Sequence, residues 1–185
     1  MEWVTKDQPR PSKVRRPKST KKTMYVIFFN YSGVVSSTKL ISAPGKRSIN
    51  AEFYVEKCLK KVIKALKKKR PKSGTQGIFL HHDNASPHKA RLTTDFLTSE
   101  GLKILPHPPY SPDLSPCDFF LFPKLKSFLR GKTFGSQKQL DSAVGQRLRE
   151  ISKDQYLSAF QSWVARCRKC IGCEGDYFEG IRKQK

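Results

Sequence analysis

A chain of 185 residues has room for one domain with a true hydrophobic core. Its 37 Lys and Arg against 15 Asp and Glu give a net charge of +22 and a pI near 10.0, which suits a polyanionic partner: DNA, RNA or anionic lipid. The absence of any long apolar run excludes a membrane-spanning helix. No apolar secretory core opens the chain, and five unevenly spaced cysteines predict reduced thiols inside a cell.

Residues 1–23 carry eight Lys or Arg, two acids and three prolines, the composition of a solvated basic segment with an unspecific nuclear-import patch between Lys13 and Lys22. Apolar, β-branched and aromatic residues over 24–30, a turn at Tyr31-Ser32-Gly33 and weak alternation over 34–41 predict a β-hairpin whose first strand is buried on both faces. Residues 43–46 read as a loop. Val55, Leu59, Val62, Ile63 and Leu66 mark one face of a helix over 50–69. Its other face holds Lys57, Lys60, Lys61, Lys64, Lys67, Lys68 and Lys69; such a face is usually just solvated, but beside a DNA site it tracks phosphates. A strand begins near Gln76 and ends in His81-His82-Asp83. Ser86 as N-cap and Pro87 at the first helical position start a helix closed by Glu100-Gly101. A strand over 102–105 and a proline-rich loop then lead to Asp118, in a short helical turn over 116–121. A helical segment over 123–129 stops at Gly131, and Phe119, Phe120, Phe122 and Phe128 are expected in the core. Ser136 with Gln139 forms a capping box for a helix to about Ser152 with Leu140, Val144, Leu148 and Ile151 inward. A last helix runs from Asp154 to about Gly172 with Tyr156, Phe160, Trp163, Val164 and Cys167 on one face, before a frayed tail at 181–185.

This order is mixed α/β, with carboxylates at element ends. A strand ending in Asp83 and a helix starting at Asp118 bring two acids to one edge of a sheet, where hard oxygen ligands share divalent metal ions. Either acid alone would read as a turn or capping residue. Cys167, Cys170 and Cys173 lack a second ligand cluster and are read as helix packing rather than zinc ligands. His81, His82, His88 and His107 are read as positioning loops, with a general base at His82 or His88 as the alternative.

The run HHDNASPH, followed by HPPYSPDLSPCDFFLFPKLK, closely resembles the mariner branch of the Tc1/mariner DNA transposases. That family carries HDN around its second catalytic Asp and YSPDLxPxD around its third, thirty-four residues apart in mariner proteins. Positions 84 to 117, also thirty-four, separate Asp83 from Asp118, and the likeness runs from about Met1 to Gly180. The resemblance implies a ribonuclease-H-like fold over 24–180, in which three acids hold two Mg²⁺ (or Mn²⁺) ions for DNA cleavage and strand transfer. It makes Asp83 and Asp118 catalytic metal ligands and Asn84 a residue that orients a carboxylate, water or metal contact. It also makes 1–23 similar to the end of a clamp loop, with Lys13, Arg15, Arg16, Lys18, Lys21 and Lys22 on DNA, and implies a homodimer working in the nucleus.

In such transposases the first acid lies on a central strand ahead of the segment matching Met1-Glu2-Trp3, and paired DNA-reading domains precede it. The expectation is therefore a domain lacking its first, central strand: weak metal binding, no transposition, little nuclease activity and marginal stability. Losing one such acid removes on the order of a thousandfold in rate. The alternative is a non-catalytic, domesticated nucleic-acid-binding module; no SET-like methyltransferase sequence is visible.

Overall fold

The computed structural model describes residues 23–40 and 49–175. The six basic residues from Lys13 to Lys22, the 43–46 loop and the 181–185 tail lie outside them.

β1 (Met24–Asn30) pairs antiparallel with β2 (Gly33–Leu40), with an irregularity between Phe28 and Phe29. Gly33, at φ +125°, takes the turn conformation that a side chain would resist. Val26 and Phe28 pack against one hydrophobic core, while Tyr25, Ile27 and Phe29 pack against another. A strand sandwiched between two cores needs apolar residues at consecutive positions, which explains its unbroken run.

Asn50 caps α1 (Ala51–Phe53) by accepting from the Phe53 N–H at 2.9 Å. The rod then widens into a π turn (Tyr54–Leu59) and continues as α2 (Lys60–Lys69). The wider turn carries Tyr54 and Cys58 inward beside Val55 and Leu59, all less than 5 % exposed. A regular 3.6-residue period anticipates only the latter pair.

β3 (Phe79–His81) and β4 (Lys103–Leu105) are parallel, joined in register from Phe79↔Lys103 to His81↔Leu105. β3 starts three residues later than expected because Gly74 and Gly77 adopt positive φ and keep the preceding segment in turns. The two strand pairs form separate sheets, and among the described residues no strand bonds the other edge of β1 or of β3. An apolar cavity of about 250 Å³ touches both strands, lined by Ile27, Phe28, Phe29, Leu80 and Trp163 among others.

The helix expected from Ser86 is two pieces, α3 (Ser86–Lys89) and α4 (Arg91–Ser99), broken where Ala90 turns to ψ 140°. Its N-cap is Ala85, not Ser86. The Asp83 carboxylate accepts the Ala85 N–H at 3.0 Å, and the fully buried Thr93 hydroxyl donates to the Pro87 carbonyl at 2.6 Å. Side-chain bonds thus hold the backbone where a continuous helix would have run.

After β4 come a 3₁₀ turn (Pro112–Leu114), a second π turn (Cys117–Leu121) and α5 (Phe122–Leu129). Pro123 has no N–H to give the Phe119 carbonyl, so the chain passes it in a wider turn, with Phe122 N–H bonded to the Cys117 carbonyl. α6 (Gln137–Glu150) and α7 (Lys153–Gly172) complete the described residues. Ser136 caps α6, but Gln139 turns to the Gly135 N–H at 2.9 Å instead of closing the box. The reciprocal box forms between Ser152 and Gln155 and starts α7, so α6 stops at Glu150. The second core joins Leu121, Leu125, Val144, Leu148, Ile151 and Tyr156.

Of the four phenylalanines expected inside, Phe120 packs on this core, whereas Phe119 and Phe128 are half-buried beneath cations. Arg166 lies 4.5 Å over Phe119; Lys132 and Arg147 lie 3.3 and 5.6 Å from Phe128. Val164 is exposed, and Ala159 takes the buried position on α7 instead. No helix among the described residues is long and apolar enough to cross a membrane.

Candidate functional site

Three chain segments meet at the site. The residues after β3 supply Asp83 and Asn84, the loop after β4 supplies His107 through Pro112, and the second π turn supplies Asp118. Together with Ala85 and Lys89 they line one open cleft of about 410 Å³. The two acids expected to converge therefore share a surface, and both are exposed to it.

Asp83 is held from its own loop. One carboxylate oxygen accepts the Ala85 N–H at 3.0 Å and lies 2.7 Å from His88 Nδ1. Desolvation pushes its pKa up, but the Ala85 N–H and the His88 ring outweigh it and hold the carboxyl below its ordinary value. Only Oδ1 makes these contacts, which leaves Oδ2 for a ligand. Asn84 donates from Nδ2 to the His107 carbonyl at 2.8 Å, so its amide ties the Asp83 loop to the proline-rich loop and its bond goes to neither acid. Asp118 sits at the first turn of its π segment, its N–H bonded to the Ser115 carbonyl at 2.9 Å.

All four histidines of the chain surround Asp83 or its loop. His82 stacks on His88 with ring centres 4.6 Å apart and planes at 6°, and Tyr54 closes on His88 at 4.5 Å. His81 Nε2 lies 3.0 Å from His107 Nδ1, and the Trp163 ring sits 4.6 Å from His81. Burial, then the neighbouring imidazole, lowers both His81 and His82 to a pKa of about 4. These two rings are neutral supports at neutral pH, as the loop-positioning reading requires. His88 is the residue that sequence reasoning undervalued: its spacing of five from Asp83, across a turn, carries no periodic signal. Cys117, next to Asp118 in the chain, is pushed up to about 12 by burial and then by Asp118 and Asp83, which keeps its thiol protonated at neutral pH.

Two free carboxylate edges on one cleft are the hard oxygen donors that Mg²⁺ or Mn²⁺ prefers, and such ions bind through one or two carboxylates plus phosphate oxygens. The residues present fit one ion of this kind. Among the described residues no third His, Cys, Asp or Glu joins a group able to hold a metal. Tyr110, on the cleft rim, is a non-glycine residue at φ +53° with its side chain fully exposed. An aromatic ring held in a costly backbone conformation at a cleft mouth offers a flat surface for a base.

Comparison with known proteins places this geometry. The profile of the DDE superfamily endonucleases matches residues 2–141. The chain is 32% identical over 181 residues to the human histone-lysine N-methyltransferase SETMAR, covering 96% of this chain and 26% of that protein. It is 31% identical over 180 residues to the mariner Mos1 transposase of Drosophila mauritiana, covering 96% and 51%. The chain thus spans about a quarter to a half of these relatives' lengths. Among solved structures, the Mos1 transposase paired-end complex with left transposon end superposes with a TM-score of 0.81 at 31% identity, over 96% of this chain and 51% of that one. The Mos1 catalytic domain with Raltegravir and Mg superposes with a TM-score of 0.76 at 31% identity, over 84% and 77%. The expected ribonuclease-H-like fold is the one these structures share with this chain. With the profile spanning the hairpin, both acids and the loops that carry them, the chain belongs to the DDE superfamily endonucleases, in company with the mariner transposases.

Proposed function

We propose that this chain is the phosphate-facing part of a mariner-type transposase catalytic domain, with Asp83 and Asp118 as its divalent-metal ligands. One observation carries the reading: two carboxylates separated by thirty-four residues line the same open cleft. A divalent ion bound there would supply Lewis-acid stabilisation of a phosphodiester oxygen. The protein's part is to keep Asp83 ionised through Ala85 and His88, to fix the loops through Asn84 and the His81–His107 pair, and to offer Tyr110 and Lys89 at the rim. DNA is the partner this reading requires, and the similarity to the Mos1 transposase paired-end complex with left transposon end supports it. A homodimer and a nuclear place of work belong to the same proposal.

With two acids in the described cleft, we further propose that the chain alone holds one ion weakly and cleaves DNA little or not at all. A third acidic ligand would come from outside the described residues or from another chain. Binding of Mn²⁺ to the full chain, followed by electron paramagnetic resonance, tests the site: Asp83→Ala or Asp118→Ala should each abolish binding. A nicking assay in Mg²⁺ or Mn²⁺ tests the inertness; strong cleavage lost in Asp83→Ala would overturn it. Salt-sensitive DNA binding that ignores both metal and Asp83→Ala, with no Mn²⁺ binding, would instead favour a non-catalytic nucleic-acid-binding module.

A further inference from the structure

We infer that the solvent face of the α1–α2 rod is a phosphate track for duplex DNA, carried by Lys57, Lys61, Lys64 and Lys68. The inference rests on DNA being the partner and adds a surface outside the acid cleft.

The rod cannot roll. Tyr54, Val55, Cys58, Leu59, Val62, Ile63 and Leu66 are each at most 7 % exposed, so the opposite face is pinned outward. All seven lysines between Lys57 and Lys69 are exposed. Three have partners: Lys60 pairs with Glu56 at 2.5 Å, Lys67 with Glu100 at 2.6 Å, and Lys69 reaches the Val34 carbonyl at 3.5 Å. Lys57, Lys61, Lys64 and Lys68 make no ion pair with a described residue. Their spacing of four, three and four residues places them in one line along the helix surface. At about 1.5 Å per residue the line is roughly 17 Å long, about five phosphate steps along one DNA strand.

An isolated helix gains nothing from such a line, since like charges three and four residues apart repel by a few tenths of a kcal/mol per pair. A polyanion relieves that repulsion. The type of polyanion follows from what the face lacks. Every exposed residue from Glu52 to Lys69 is charged, with no aromatic ring to stack on an unpaired base and no apolar side chain to enter a lipid surface. A regular, sequence-independent array of phosphates is what remains. The near end of the line lies one turn past Tyr54, whose ring packs on His88 beside Asp83, so the track leads away from the cleft.

The test is the salt dependence of binding of the full chain to a random-sequence duplex of about 30 base pairs, by fluorescence anisotropy between roughly 50 and 200 mM KCl. Replacing all four residues (Lys57→Gln, Lys61→Gln, Lys64→Gln, Lys68→Gln) should make the log K against log salt slope shallower by about 3.6. The pair Lys60→Gln, Lys67→Gln should change it far less. Unchanged circular dichroism and melting of the fourfold variant confirm that the exposed substitutions spare the fold. An unaltered slope in that variant, with tight wild-type binding, overturns the track while leaving the DNA reading intact. Wild-type chain that ignores the duplex overturns both. Equal loss of binding to phosphatidylserine vesicles, with none to DNA, assigns the face to membrane and overturns the proposal.

Discussion

Acidification should destabilise this protein well before its carboxylates titrate, because two histidines are folded in their neutral form. His81 is enclosed by Trp163 and His107, and His82 is stacked on His88 with the Tyr54 hydroxyl 3.4 Å from its Nδ1; both are lowered from 6.5 to about 4, chiefly by burial. Below pH 6.5 the unfolded chain takes up protons that the folded chain refuses until about pH 4, so stability falls steadily across that window. The full linkage would be roughly 3 kcal/mol per ring. Both rings keep some contact with solvent, and screening reduces the contribution to about 1 kcal/mol each. Asp83 does not offset this: its depressed value contributes stability that is constant above the ordinary carboxylate range and lost only at lower pH. About 60% of that window lies above pH 5, so in urea, with a slope near 2 kcal/mol/M, a combined loss of about 1.2 kcal/mol should lower the unfolding midpoint by about 0.6 M between pH 7 and pH 5. His82→Gln should remove about half of that dependence. A wild-type midpoint that is the same at both values, or higher at pH 5, would refute the buried neutral pair.

Two further outcomes follow from single side chains. His88→Ala removes the 2.7 Å contact to Asp83, whose side chain is 66% exposed, so stability should fall by less than about 1 kcal/mol. The Asp83 carboxyl should nevertheless move up toward its ordinary value in a ¹³C titration, and Mn²⁺ affinity should drop; an unmoved titration would mean that the Ala85 N–H alone holds it. The Tyr156 hydroxyl is buried in the second core without a hydrogen-bond partner among the described residues, so Tyr156→Phe should keep the fold and gain up to about 1 kcal/mol, read as a higher Tm. A lower Tm would reveal a partner for that oxygen.

Much of this molecule is written locally. The hairpin, the amphipathic rod, the order of strands and helices, and both acids with the spacing between them follow from residue periodicity and a long motif, since each depends on neighbours within a few positions. What local rules missed has a common origin in contacts that cross the chain or shift the backbone register. Both π turns fall beside the site, one putting Tyr54 against His88 and the other presenting Asp118. An i to i+5 turn breaks the 3.6-residue period on which sequence reading relies. The His81–His107 contact and the Asn84–His107 bond join residues 26 and 23 apart, and the Lys39–Asp141 ion pair spans 102. Helix propensity over 86–100 was overridden by Asp83 and Thr93 taking backbone partners. Aromatic residues alone could not say that Phe119 and Phe128 would meet cations at the surface. The sequence by itself determined which two acids carry the motif and how far apart they lie along the chain. Only the tertiary structure decided that they share a cleft, because that depends on where loops of different elements are packed by the two cores.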